Sequence, residues 1–155
     1  MLGARYLFRL GGTLTLLALV AAVTVFTAAR SESTVEELKA RLSSTSIGDR
    51  PHLCVQIAQK QLVVADKLYA AAEVEKAQAA LTDVVAFSEL ARDYAIQSHK
   101  YQKQSEIATR TMTRKLSEIM HSLARDEQAP VKDAINRLQR VRDDLLASMF
   151  PKGAK

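Results

Sequence analysis

Two residues have the type and spacing of metal ligands. Glu118 and His121 stand three positions apart on one predicted helix, which is the Glu-x-x-His spacing of di-iron carboxylate sites. Such a site needs a second Glu-x-x-His pair and two further glutamates from other helices. The nearest second pair, Asp49 and His52, spans a predicted helix start and contains a proline. We therefore interpret Glu118 and His121 as the weak metal candidates of the chain and predict a polar pair without a metal.

The same predicted helix also carries histidine and methionine residues. His99, His121, Met112 and Met120 are the residue types that ligate haem iron axially. The chain has no Cys-x-x-Cys-His attachment motif, because Cys54 is its single cysteine. A small haem-, metal- or ligand-binding helical bundle is therefore kept as the alternative function, while the main prediction includes no cofactor. For Cys54 we predict a buried apolar side chain, with an intermolecular disulfide as the alternative.

Catalytic motifs are missing from the sequence. It has no Gly-x-Ser-x-Gly elbow, and the only glycines beyond the N-terminal segment are Gly48 and Gly153, so no glycine-rich phosphate loop is possible. The sequence thus predicts a protein that is not an enzyme.

A basic stretch is the strongest candidate for a binding surface. Residues 97–125 carry six Lys or Arg against Glu106 and Glu118. A solvated helix face explains such a run without a partner. The functional interpretation is a docking surface for an acidic protein or an anionic polymer, with self-association as a further possibility. Its predicted residues are Lys100, Tyr101, Lys103, Arg110 and Arg114.

The first thirty residues indicate export. Arg5 and Arg9 precede the uncharged segment 10–29, which ends in Thr27-Ala28-Ala29. This order is typical of a signal peptide cleaved after residue 29. The alternative is an uncleaved membrane anchor over 10–29, since twenty uncharged residues are about the minimum to span a bilayer. Both interpretations place the rest of the chain outside the cytoplasm, either periplasmic or secreted, or tethered to the membrane.

Composition predicts the fold class. The chain has 155 residues, 48% of them apolar, with five Gly, three Pro and no Trp, which favours an all-α fold in one domain over residues 30–155. Without Arg5 and Arg9, 20 of the 22 basic residues remain against 17 acidic ones, a net charge of +3. That weak charge argues against nucleic acid as a partner. An acidic polymer or lipid headgroups remain possible partners, but a protein partner or a second copy is favoured.

Hydrophobic periodicity places four helices after the N-terminal segment. They are predicted over residues 34–42, 50–71, 74–125 and 130–149. Two overlapping capping boxes mark the first start, Ser33 with Glu36 and Thr34 with Glu37. An acidic cap at Asp49 followed by Pro51 marks the second start.

The third predicted helix is too long for its neighbours. A helix over 74–125 measures about 75 Å, whereas the flanking helices measure about 30 Å each. The residues that recur every three or four positions along this helix form one side of it, which we call its seam. In the uncovered part, 96–106, the seam residues are the polar Ser98, Gln102 and Ser105. The fold is therefore either elongated hairpins on one long central helix or an antiparallel bundle in which that helix breaks near 96–106. In this region Tyr101 is the aromatic residue expected to face a partner.

Residues 68–81 read Leu-Tyr-Ala-Ala-Ala-Glu-Val-Glu-Lys-Ala-Gln-Ala-Ala-Leu. This segment resembles the corner of a tetratricopeptide repeat, where a Tyr-containing helix turns through a Gly-Asp-Tyr-Glu-Lys-Ala-like corner into a second helix. Ala72 stands where that family prefers Gly, and Val74 where it prefers an aromatic. The resemblance covers roughly twenty residues and has no second copy at a period of about 34. It implies a helical hairpin here without a repeat array. Together these features predict an exported, non-enzymatic helical interaction or scaffold protein of the cell envelope.

Overall fold

A computed structural model of the chain describes residues 33–151. These residues form five α-helices and contain no strand, which confirms the all-α class. The helices are α1 (Val35–Leu42), α2 (Arg50–Ala70), α3 (Val74–Ser98), α4 (Gln102–Ser122) and α5 (Gln128–Met149). The predicted signal or anchor segment, 1–29, lies outside the described residues.

The starts of α1 and α2 show one confirmed and one wrong capping prediction. At α1, Thr34 Oγ1 accepts a hydrogen bond from the Glu37 amide at 3.2 Å, and the Glu37 carboxylate accepts from the Thr34 amide at 3.1 Å. This is the second of the two predicted capping boxes. At α2, Pro51 lies in the first turn as predicted, but Asp49 makes no cap. Its carboxylate instead accepts a hydrogen bond from the Ser46 hydroxyl at 2.7 Å.

A tight turn at 71–73 joins α2 to α3, where the predicted helices over 50–71 and 74–125 meet. Two backbone hydrogen bonds close it, from the Glu73 amide to the Leu68 carbonyl at 2.9 Å and from the Ala72 amide to the Tyr69 carbonyl at 3.0 Å. This pair of bonds is a Schellman motif, which requires a left-handed residue after the helix. Ala72 provides it with φ at 57°.

The prediction of one helix over 74–125 is wrong, because the chain turns at residues 99–101 between α3 and α4. The Ser98 hydroxyl lies at this end of α3, where it donates to the Tyr94 carbonyl at 2.6 Å and accepts from the Lys100 amide at 3.3 Å. His99 and Tyr101 are both left-handed, with φ of 56° and 59°. The structure thus has the broken alternative and lacks a long central helix within 33–151.

The helices pack as two hairpins, α2 with α3 and α4 with α5. Helices α2 and α4 lie side by side and run parallel. At one end of the pair, His52 stacks on Tyr101. Fourteen residues later in each helix, Asp66 of α2 pairs with Lys115 of α4 at 2.9 Å. Helices α3 and α5 are also in contact. The Arg137 guanidinium there donates two hydrogen bonds to Glu89, at 3.0 and 2.8 Å.

The apolar core lies between the two hairpins. Its largest fully buried side chains come from four helices and include Ile57, Val84, Met112, Leu116, Leu138 and Leu145. Of the polar seam residues predicted in 96–106, Ser105 is buried, whereas Ser98 and Gln102 are half-buried. In α2, Leu62 is buried, whereas Val64 is 39% exposed.

Candidate interaction surface

One side of α4 points away from the core. Lys103, Ile107, Arg110 and Arg114 follow each other at intervals of four, three and four residues, so they lie on one helix face. All four are exposed, and Ile107 keeps 41% of its surface accessible. We call this set the outer face of α4.

Two other charged residues of α4, Lys115 and Glu106, are paired within the chain. Lys115 contacts Asp66 of α2, and this hydrogen bond with Asp66 raises the pKa of Lys115. Glu106 is largely buried and accepts a hydrogen bond from Arg142 of α5 at 2.8 Å. Within residues 33–151, by contrast, none of the cations of the outer face forms an ion pair or a side-chain hydrogen bond. Within the described residues, the three cations of the outer face are therefore exposed and unpaired.

The other two predicted surface residues lie in the 99–101 turn and contact their own chain. The Lys100 side chain covers Gly48, where an added Cβ would lie 3.0 Å from Lys100 Cδ. The Tyr101 ring is half-buried and stacks on His52, with ring centroids 5.5 Å apart and an interplanar angle of 26°. The structure thus brings three of the five predicted residues onto one face and places Lys100 and Tyr101 beside its N-terminal end.

The candidate metal ligands are exposed at the far end of α4. His121 Nδ1 lies 2.5 Å from the Ser117 carbonyl oxygen, and Glu118 is exposed on the same helix. In the described part of the chain, no three His, Cys, Asp or Glu side chains come together as a metal site would require. His99 and His121 flank α4 at opposite ends, about 30 Å apart, so they cannot ligate one haem iron.

Cys54 is fully buried on the side of α2 that packs against the core. Burial raises the pKa of its thiol to about 11, and the nearby Arg50 opposes this shift only in part. Because the thiolate is the nucleophilic form, this cysteine is unreactive at neutral pH. Its contribution is to packing.

A cleft beside α2 was not predicted from the sequence. It has a volume of about 700 Å³ and lies between α1 and the exposed side of α2, where Arg41, His52, Gln56 and Val63 line it. Val63 is 54% exposed. No signal in the sequence predicted this cleft, because its other wall comes from α1 and depends on tertiary packing.

Comparison with known proteins returns no match, neither to a protein-family model, nor to a curated protein, nor to a solved structure. Among the described residues, no helix is both long and apolar enough to cross a membrane.

Proposed function

We propose that this chain is an exported, non-enzymatic helical protein of the cell envelope that binds an acidic protein partner through the outer face of α4. One observation supports this function above the others. Lys103, Arg110 and Arg114 are three exposed cations without a partner in the described chain, whereas Lys115 and Glu106 on the same helix are paired.

The chemistry of the outer face favours a protein over a lipid surface. Three cations spread over about 16 Å of helix attract acidic groups and speed association. Membrane binding through a helix requires a broad apolar side, and this face offers the single apolar residue Ile107. An exposed apolar residue among charges is instead typical of a small protein interface, in which a hydrophobic centre is surrounded by a polar rim.

Charge reversal tests the proposal. The test variant combines Lys103→Glu, Arg110→Glu and Arg114→Glu. A control variant combines Arg125→Glu, Lys132→Glu and Arg140→Glu, which changes the net charge equally at exposed positions elsewhere. The measurement is the amount of partner recovered with each tagged protein from the host envelope, at about 50 mM and about 300 mM salt.

We expect the wild-type complex to weaken at the higher salt concentration, because exposed charges are screened there. The outer-face variant should lose the complex at both salt concentrations, and the control should keep it. If the outer-face variant keeps its partner, or if the control loses it equally, α4 is not the docking site.

Export is the second part of the proposal and is tested separately. The denatured intact mass of the chain from the host envelope should correspond to a start near Arg30, as the signal-peptide pattern predicts. The native mass should then show a protein partner or a second copy. A stoichiometric extra mass of haem or metal would contradict the proposed function and favour the ligand-binding alternative.

A further inference from the structure

The seam of α3 and α4 continues without interruption through the turn at 99–101. Ala91, Ala95, Ser98, Gln102 and Ser105 follow one another at intervals of four, three, four and three residues. All five are buried or half-buried. Residues at these intervals lie on one side of a helix. A straight helix through this turn would therefore join the buried side of α3 to the buried side of α4.

The turn at 71–73 has no such continuity. The same intervals, counted back from Val74, give Ala70, Lys67 and Val63, and these three residues are exposed. A straight helix through that turn would join the buried side of α3 to the exposed side of α2. Of these two turns, only the one at 99–101 can straighten into a helix with a single buried side.

The backbone of the 99–101 turn is unfavourable. His99 and Tyr101 have φ angles of 56° and 59°, in the left-handed region where the Cβ of a non-glycine residue lies too close to the following carbonyl oxygen. His99 is exposed, and its side chain forms no hydrogen bond or ion pair within residues 33–151, so no polar contact offsets this cost. Short hinges under strain promote the exchange of structural elements between copies of a chain.

The contacts between the two hairpins show what a straightened chain would bind. The α2–α3 hairpin packs on the α4–α5 hairpin through the apolar core and through ion pairs such as Asp66 with Lys115 and Glu89 with Arg137. A chain with a straight helix through 99–101 cannot fold one hairpin back onto the other, so the inner surfaces of both hairpins would be uncovered. A second copy in the same state has the residues that cover them.

We propose that the 99–101 turn opens into one continuous helix over 74–122 and that two copies exchange hairpins. In this dimer the α2–α3 hairpin of each copy packs on the α4–α5 hairpin of the other, with the same contacts as in the single chain. Because α3 and α4 are antiparallel in the folded chain, the two long helices would run antiparallel with their seams facing each other. The polar seam residues Ser98, Gln102 and Ser105 would then lie where the two bundles meet. The dimer has one outer face of α4 in each bundle.

The first test changes the backbone preference at residue 99 and measures the dimer Kd by size-exclusion chromatography with light scattering. His99→Gly removes the cost of the left-handed turn and weakens a continuous helix, so it should raise the dimer Kd by about tenfold or more. His99→Val places a β-branched residue at a positive φ and should lower the dimer Kd by about tenfold. Each protein is refolded from urea at several concentrations, because the hairpins must separate before they can exchange. Circular dichroism checks that each variant is folded.

The matched control is Ala72→Val. Ala72 is left-handed with φ at 57°, so this variant also places a β-branched residue at a positive φ. Opening the 71–73 turn does not join two buried sides. The dimer Kd of Ala72→Val should therefore equal that of the wild type.

A second test distinguishes exchanged hairpins from two bundles that touch at their surfaces. Glu89→Arg and Arg137→Glu each place two like charges face to face between α3 and α5, where the natural pair is 2.8 Å apart. In an exchanged dimer with one copy of each variant, the arginine introduced at 89 faces the glutamate introduced at 137, and the other bundle keeps the natural pair. Native mass spectrometry of a mixture refolded together should show heterodimers exceeding the two homodimers combined by about threefold.

Four results would overturn the inference. Equal dimer Kd values for the wild type, His99→Gly and His99→Val would show that the 99–101 turn is not the hinge. An equal gain for Ala72→Val would attribute dimerisation to general destabilisation. Heterodimers equal in amount to the two homodimers combined, as random pairing gives, would place the contact on the outer surfaces. The absence of a dimer in every variant would exclude exchange altogether. The inference is independent of the proposed function, because it uses only contacts inside the chain.

Discussion

The inner and outer sides of the parallel helices α2 and α4 differ in how deeply their apolar side chains are buried. On the inner side, Cys54, Ile57 and Leu116 are completely buried. A buried hydroxyl such as that of Thr109 donates to the Ser105 carbonyl at 2.8 Å. On the outer side, Val63 and Ile107 remain exposed.

This difference separates stability from binding. Inner residues contribute buried area and internal hydrogen bonds, so replacing them should lower the free energy of unfolding. Outer residues contribute neither, so replacing them should change binding and leave stability nearly unchanged. Each prediction below compares an inner with an outer position, or a position held by tertiary contacts with one that is not.

The largest contrast is expected between two apolar residues of α4. Leu116→Ala removes a fully buried side chain and should lower the free energy of unfolding by about 3 kcal/mol, within the usual range for such cavities. Ile107→Ala on the outer face should cost less than about 0.5 kcal/mol. Urea unfolding with unchanged m values measures both. An equally large cost at Ile107 would mean that the outer face is covered in solution, for example by a second copy.

The next largest expected effect is a pH dependence of the free energy of unfolding, caused by the Cys54 thiol. Its thiol has a pKa near 9.0 when exposed and about 11 when buried in the folded chain. The folded state therefore retains a proton that the unfolded state releases between these values. The resulting stability is complete below pH 9 and falls by about 2 kcal/mol by pH 11.

The control for this pH effect is Cys54→Ala. That variant should have a shallower decline in unfolding free energy from pH 9 to pH 11 than the wild type, because its unfolded state lacks the titrating thiol. Parallel pH profiles of the two proteins would show that Cys54 is not protected on the inner side.

Two arginines extend the comparison of inner and outer positions to charged side chains. Arg142→Met removes the partner of the largely buried Glu106 carboxylate, which should cost about 1.5 kcal/mol, the lower end for a hydrogen bond to a charged group. Arg114→Met on the outer face removes no internal partner and should cost less than about 0.5 kcal/mol. Thermal unfolding of both variants at one pH compares them. A larger loss for Arg114→Met would show that the exposed cation has a partner in the folded chain.

Much of the inner side was predictable from spacing alone. The recurrence of seam residues every three or four positions identified the buried residues of α3 and α4, because helical geometry places such residues on one side. The same spacing continues through Ser98, Gln102 and Ser105, so periodicity could not determine whether the helix breaks there. The turn there has left-handed residues at His99 and Tyr101 and contacts distant residues, His52 and Gly48, which helical spacing does not reveal.

The outer side was predictable only where a single helix determines it. Lys103, Arg110 and Arg114 share a face because of their spacing. Tyr101 did not follow from spacing, because its position depends on His52, which is far away in sequence. The cleft beside α2 was missed for the same reason, since it exists only where α1 packs beside α2.

The smallest predicted effects distinguish the two turns, which have the same left-handed backbone but different support. Ala72 is exposed, and local hydrogen bonds alone hold it. Ala72→Gly removes the steric cost of that conformation and should raise the free energy of unfolding by about 0.5 kcal/mol, after allowing for the greater freedom of glycine in the unfolded chain.

In the turn at 99–101, replacement of Tyr101 by glycine should instead lower the free energy of unfolding. Tyr101→Gly also relieves the backbone, but it removes the ring that stacks on His52, a contact of about 1 kcal/mol. We therefore expect a net loss of about 0.5 kcal/mol, combining that contact with the backbone terms. His52→Ala should destabilise the wild type more than it destabilises Tyr101→Gly, because only the wild type has the stacking to lose. If Tyr101→Gly stabilises the chain as Ala72→Gly does, the stacking does not support the turn, and Tyr101 would then be available to contact a partner.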